Sequence, residues 1–377
     1  MSFSQSSALK CASVALFAAI LGCGPNDGAK EFDQGRAAYE ARDLKKAEKL
    51  LEKSLACVPN DVDRLLFLAR TELDLGDLAK AQALVERAAA NSTGDADVTL
   101  LKAQVAWHAK DYKAAAGEFT DIANDAALDA SVRAQGWAGL GVVEMTCDNH
   151  HLARIAFLSA IRLDRRNAAA WYHLGLLYHD GFGYLEAALE QFEIFVRLEQ
   201  EASPRVQKVQ RTIIPGLKEE IARAAADRPG AAKRNSSVCA TLIVEAETAQ
   251  KKGNARAARE AYQKALAADP LSYPAALGLA KTWEKTDATK SGQEKALGAY
   301  KTACLLRPSA VSTFLSAGSL AAKLGLHLQA VEIYSRAVAA NPASLDAIDG
   351  LIRALRKTGG KAKVAEAYQR YRDSLKK

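Results

Sequence analysis

A three-residue signature that returns at a fixed interval restricts what this 377-residue chain can fold into. Trp137, Leu140 and Gly141 recur thirty-four residues on as Trp171, Leu174 and Gly175. A second set follows each: Ala153, Phe157 and Ala160, then Ala188, Phe192 and Phe195. Trp137, Leu140, Gly141 and Glu144 stand at i, i+3, i+4 and i+7, which lines them along one face of a helix. Gly141 lets a partner helix come close, and Phe157 fills the space beside Ala153. One helix pair cannot bury such a face alone, whereas stacked copies can.

Trp-x-x-Leu-Gly followed by Ala-x-x-x-Phe at this period resembles the tetratricopeptide repeat (TPR), a pair of antiparallel helices. The resemblance implies an all-α, right-handed α-solenoid of about nine helix pairs, interrupted once. It covers about Ala29–Leu198 and Val238–Leu375. Further copies show at Gly35, Tyr39, Ala47 and Leu51, at Leu65, Ala69 and Ala81, and at Ala103, Trp107, Ala115 and Phe119. Beyond the interruption, Ala258 and Tyr262, Ala296 and Tyr300, Ala330 and Tyr334, and finally Tyr368 carry the pattern. Pro308 and Pro342 are again thirty-four apart. Frequent alanine suits close-packed helices.

The expected organisation runs in five parts: a signal peptide at 1–22, a tether at 23–28, an array of about five repeats at 29–199, a helical joint at 200–237, and about four repeats at 238–377. Lys10 precedes an apolar run, Cys11–Leu21, that is too short to span a bilayer. Ile20-Leu21-Gly22-Cys23 resembles the bacterial lipobox, which implies that Cys23 carries lipid and holds the protein on a membrane, with the outer membrane facing the periplasm as the implied location. In the fifth repeat Gly181 and Gly183 absorb one extra turn residue. Within the joint, Ser203-Pro204 reads as a helix start, Pro215 as its end or a kink, Glu219–Ala225 as a second short helix and Asp227–Ser237 as a linker.

No catalytic constellation emerges. Gly139-x-Gly141-x-x-Glu144 lacks the third glycine of a dinucleotide loop and lies inside a repeat helix. His173 and His179 are six apart, whereas a metal pair on one helix face needs about four. Cys57, Cys147, Cys239 and Cys304 form no Cys-x-x-Cys pair. The formal charge of +7 comes without a Lys/Arg block of nucleic-acid type. Neither cofactor, metal nor nucleic acid is expected.

The reading is therefore a non-enzymatic scaffold that holds a peptide or protein on the concave surface of the repeats, which the first helices line. The resemblance extends to lipoproteins that assist envelope assembly: secretin and pilus, outer-membrane protein or cell-wall machinery. Two alternatives compete. One is an enzyme or regulator acting through 200–237. The other is a cytoplasmic adaptor or co-chaperone, against which Tyr172, Leu176, Leu315 and Ser319 occupy the places of the carboxylate clamp. The expected groove stripe is Phe32, Arg36 and Tyr39; Leu66, Arg70 and Leu73; Leu100, Gln104 and Trp107; Val142 and Met145; Tyr172, Leu176 and His179. Later copies turn charged, with Lys251, Lys281, Lys285, Lys323, Arg353, Arg356 and Lys357 against Glu247, Glu284, Asp346 and Asp349.

Overall fold

The computed structural model describes residues 27–92, 94–199 and 203–376. The signal peptide, Cys23 and most of the tether lie outside these residues. The described residues form an all-α solenoid of stacked helix pairs and contain no strand. They divide into two compact units, Met1–Cys147 and Asp148–Lys377. That division falls in the turn between the two helices of the fourth repeat, and the 200–237 segment belongs wholly to the second unit.

Unit 1 contains α1 (Ala29–Glu40), α2 (Leu44–Cys57), α3 (Val62–Leu75), α4 (Leu78–Asn91), α5 (Ala96–His108), α6 (Tyr112–Asn124) and α7 (Ala130–Thr146). Each even helix packs between the odd helices before and after it, and α1, α3, α5 and α7 also touch in series. The first helices thus lie side by side and form one face. Alanines at 0% exposure, Ala47, Ala69, Ala81, Ala88, Ala103 and Ala115, let the backbones approach. Leu51, Leu65, Leu68 and Leu101 fill the space between them.

The turns explain the repeat's regularity. Backbone N–H groups of Asp43, Asp77 and Asp111 reach back to the carbonyls of Ala38, Glu72 and Ala106, each at 2.9 Å. This is a Schellman closure, and it needs a left-handed residue just before the aspartate. Gly76 supplies one at φ 89°, while Arg42 and Lys110 adopt φ 61° and 63° despite their side chains. The aspartate then caps the next helix, accepting from Lys46, Lys80 and Ala114 N–H respectively.

Unit 2 contains α8 (His150–Leu163), α9 (Ala168–Leu176), α10 (Leu185–Leu198), α11 (Pro204–Lys208), α12 (Ile214–Ala226), α13 (Ser236–Lys251), α14 (Ala255–Ala268), α15 (Tyr273–Thr286), α16 (Lys290–Leu306), α17 (Val311–Lys323), α18 (His327–Ala340), α19 (Leu345–Lys357) and α20 (Ala362–Ser374). The extra residue of the fifth repeat is taken up as a π-helical turn, Leu177–Gly181, with Gly183 at φ 64°. Gly175 is buried against the second helix of its pair, where an added Cβ would stand 2.9 Å from the Phe192 ring.

The interruption is helical. Ser203 caps α11, its hydroxyl accepting from Val206 N–H at 3.2 Å. The helix then passes Pro215 without ending, because Val209–Ile213 widens into a π turn directly ahead of it. The wider turn relieves the clash of the ring with the preceding carbonyls and the loss of one N–H. α12 packs on α10, as the first helix of another pair would. Residues 227–235 return the chain to the repeats: Arg228 donates to Leu305 O at 3.2 Å and Asn235 N–H to Ala268 O at 2.8 Å. Finally α20, the last helix, packs on α8, the first of the unit, so unit 2 closes on itself.

Candidate functional site

On the first-helix face of unit 1, aromatic and cationic side chains alternate. Phe32 and Phe67 meet edge to face at 5.5 Å. The Arg36 guanidinium lies 5.8 Å from the Phe32 ring and 5.2 Å from that of Phe67, and Arg70 covers Phe67 at 5.6 Å. Tyr39 is half-buried; burial and the Asp74 carboxylate raise its phenol above the ordinary value. Trp107 donates its ring N–H to Thr146 Oγ1 at 3.3 Å, linking α5 to α7. Met145 is half-buried on α7. This face is apolar beneath and cationic above.

The structure does not bring every stripe residue to that face. Leu66 and Leu100 are 4% and 5% exposed and belong to the core. Phe67, one residue after Leu66, takes the outer position with Arg70. The thirty-four-residue step from Phe32 lands on Leu66, but the helix is rotated so that the thirty-fifth residue faces outward. The sequence held a signal for this in the Phe32–Phe67 pair. Leu73 packs, partly buried, against the unit 1 core.

In unit 2, Tyr172 is enclosed by Phe192, Phe195 and His173, and Arg205 of α11 covers its ring at 5.1 Å. His179 Nδ1 donates to Asp180 Oδ1 at 2.5 Å, and the ring lies 3.9 Å from Glu220 of α12. The 204–226 helix therefore borders this part of the stripe. Lys281, Arg353 and Arg356 are exposed. Arg353 hydrogen-bonds the Tyr334 phenol, and Arg356 reaches Gln369 at 3.5 Å.

Behind the unit 2 face runs a row of tyrosines. Tyr262 donates to Gln250 Oε1 at 3.2 Å and Tyr300 to Glu284 Oε2 at 2.6 Å. Tyr334 is pinched between Gly318 and Gly350, where an added Cβ at either would run into its ring. The fourth rung is Tyr368, on α20. Its hydroxyl accepts from Arg154 of α8, whose Nε lies 2.8 Å away, while Nη1 donates to Ser335 O at 2.9 Å. Arg154 is fully buried, with Phe182 at 4.8 Å from its guanidinium. Burial opposes its charge, but the phenols of Tyr368, Tyr178 and Tyr184 outweigh this and hold its pKa up. Burial first, then Arg154, pushes His151 down to about 3; burial and Arg205 push His173 down to about 4.

Among the described residues one trio has metal-like proximity, Glu48, Glu52 and Glu72. The Lys80 ammonium stands among them, at 3.2, 2.6 and 2.6 Å respectively. Burial works against that charge, yet the three hydrogen bonds prevail and the lysine pKa is raised. The cluster is a buried-edge ion-pair network between α2, α3 and α4.

Two tetratricopeptide-repeat family models match the chain, at residues 38–105 and 243–289. The chain thus carries tetratricopeptide repeats, and its described helix pairs stack as such repeats do. No curated protein matches it. Solved structures with similar folds include a MamA protein (22% identity, 50% of this chain and 97% of that one, TM-score 0.34). Others are PilF of Pseudomonas aeruginosa (14%, 69% and 98%, 0.39) and PilW, described as a type IV pilus biogenesis factor (14%, 67% and 98%, 0.40). At such identities and scores these likenesses say nothing of function. Among the described residues, no helix is long and apolar enough to cross a membrane.

Proposed function

We propose that this protein is a non-enzymatic scaffold, lipid-anchored through Cys23 in a bacterial envelope and facing the periplasm, that holds a peptide or protein partner on its first-helix faces. The unit 1 face carries the reading. Phe32, Phe67 and Trp107, with Arg36 and Arg70 above, offer aromatic anchors beneath cations, the residue types that dominate interface energetics. Such a face suits a partner segment with apolar side chains among carboxylates. The exposed Arg353 and Arg356 of unit 2 add attraction for acidic groups. Assembly of an envelope complex is the role that the lipobox and this class of fold fit together.

Two measurements test it. Mass spectrometry of the mature N-terminus should find a diacylated Cys23, and Cys23→Ala should leave a soluble or uncleaved protein; cleavage elsewhere removes the anchor from the proposal. A partner recovered from membranes and identified should then bind Trp107→Ala at least about 2 kcal/mol more weakly, with little salt dependence. Arg353→Glu with Arg356→Glu should slow association, and that loss should shrink at high salt. Wild-type binding by both variants, each folded by circular dichroism, would refute the groove.

A further inference from the structure

A cleft of about 330 Å³ opens within unit 2. Its walls come from segments far apart in sequence: the start of α10, the end of α12, the ends of α16 and α18 and the start of α17. The volume is at the small end of ligand sites. Phe314, 2% exposed, and Ala339, 4% exposed, make an apolar floor. Charged groups of both signs stand on the walls, Arg228 and Arg336 on one side of the chain's charge balance and Glu186 and Glu190 on the other.

Arg336 is the group that asks for an occupant. Its guanidinium is held over the Tyr184 ring at 5.1 Å, which fixes its plane. Among the described residues its ion pair is with Glu332, at 3.5 Å on a largely exposed carboxylate. Its Nε is buried and has no hydrogen-bond partner among the described residues. A buried unsatisfied donor is costly and rare, and it marks a place where an acceptor belongs. The carboxylates of α10 ask for the opposite charge, so a simple anion would satisfy Arg336 while meeting repulsion from Glu186 and Glu190.

We propose that this cleft binds a small zwitterion with apolar side chains, of free amino-acid to dipeptide size. The ligand's carboxylate pairs with Arg336, assisted by Arg228. Its ammonium faces Glu190 and Glu186, and its side chain lies on Phe314 and Ala339. Both charge signs, the apolar floor and the small volume are then used by one molecule.

Isothermal titration of the full chain with leucyl-leucine, its N-acetyl form and its amide tests this. The free dipeptide should bind, blocking either end should weaken binding about tenfold or more, and Arg336→Met and Glu190→Gln should each do the same while melting like the parent protein. No binding of the free dipeptide or of leucine at millimolar concentration overturns the proposal. So does binding that is indifferent to the blocked ends or to both substitutions. Ala339→Trp, which fills the floor, should abolish binding; if that variant fails to fold, the two wall substitutions decide. The groove reading stands or falls separately, since no residue named here belongs to the proposed groove stripe.

Discussion

The two units solve the same packing problem with different rungs. In unit 1 the residue that slides between neighbouring first helices is Leu51, Val85 or Phe119, each apolar and nearly or fully buried. Unit 2 starts with the same kind of rung, Phe157 and Phe192, but from Tyr262 onward it is tyrosine: Tyr262, Tyr300, Tyr334 and Tyr368. An apolar rung ends in the core. A tyrosine rung carries a hydroxyl through to the other side, where it must find a partner. Gln250, Glu284 and Arg353 serve three of them. The fourth takes Arg154 and so ties the last helix of unit 2 to its first. Unit 1 gains stability chiefly from burial, whereas unit 2 adds a polar network that fixes which helices meet.

The contrast is sharpest at Arg154. Arg154→Ala strands the Tyr368 hydroxyl and the Ser335 carbonyl in the core and leaves a cavity, and should cost unit 2 about 3 kcal/mol or more. Hydrogen exchange should show α8 and α20 losing protection while α1–α6 keep theirs. Equal loss in both units would mean that Arg154 does not close unit 2.

Acid separates the units next. His151 and His173 are neutral when folded, with pKa values lowered to about 3 and about 4, against about 6.5 when unfolded. Above pH 6.5 neither state binds these protons and the full stability is present. Below it the unfolded chain binds them and the folded chain does not, so stability falls as pH drops from 6.5 toward 4. Two such groups give at most about 2.7 kcal/mol per pH unit. Unit 1 has no described histidine other than the exposed His108. Melting followed at both units should therefore show the slope in unit 2; a pH-independent unit 2 would mean that water or an unseen partner charges these rings.

Close packing comes third. Gly175→Leu should overpack against Phe192 by about 1–3 kcal/mol, and Gly350→Ala should disturb Tyr334 in the same way. A raised melting temperature for either would show a face that gives way. The rung hydroxyl itself is tested by Tyr300→Phe, which removes a bond to a carboxylate and should cost about 1.5–3 kcal/mol. Smallest is the gain from Lys110→Gly in unit 1. It relieves a left-handed residue at φ 63° and should stabilise by up to about 1 kcal/mol. No change in melting would mean that the turn tolerates its side chain.

Much of this architecture follows from local rules that act within a few residues. The Ala-x-x-x-aromatic and Trp-x-x-Leu-Gly patterns name the helices, because apolar spacing at 3.6 residues per turn can only be buried by stacking. Asp43, Asp77 and Asp111 mark the turns, because a short acceptor caps the next helix whatever lies beyond it. Ser203 as a cap is of the same kind. What the sequence alone leaves open depends on rotation and on distant partners. Neighbouring residues on a helix point about 100° apart, so how each helix is turned decides that Leu66 and Leu100 enter the core while Phe67 is only partly buried, and a period of thirty-four does not record that turn. Pro215 reads as a break, yet a π turn carries the helix past it, since packing on α10 favours continuity. Arg154 and Tyr368, 214 residues apart, carry no mark of each other. They meet only because the stack returns α20 to α8, and that sum over many packing angles is a property of the tertiary structure.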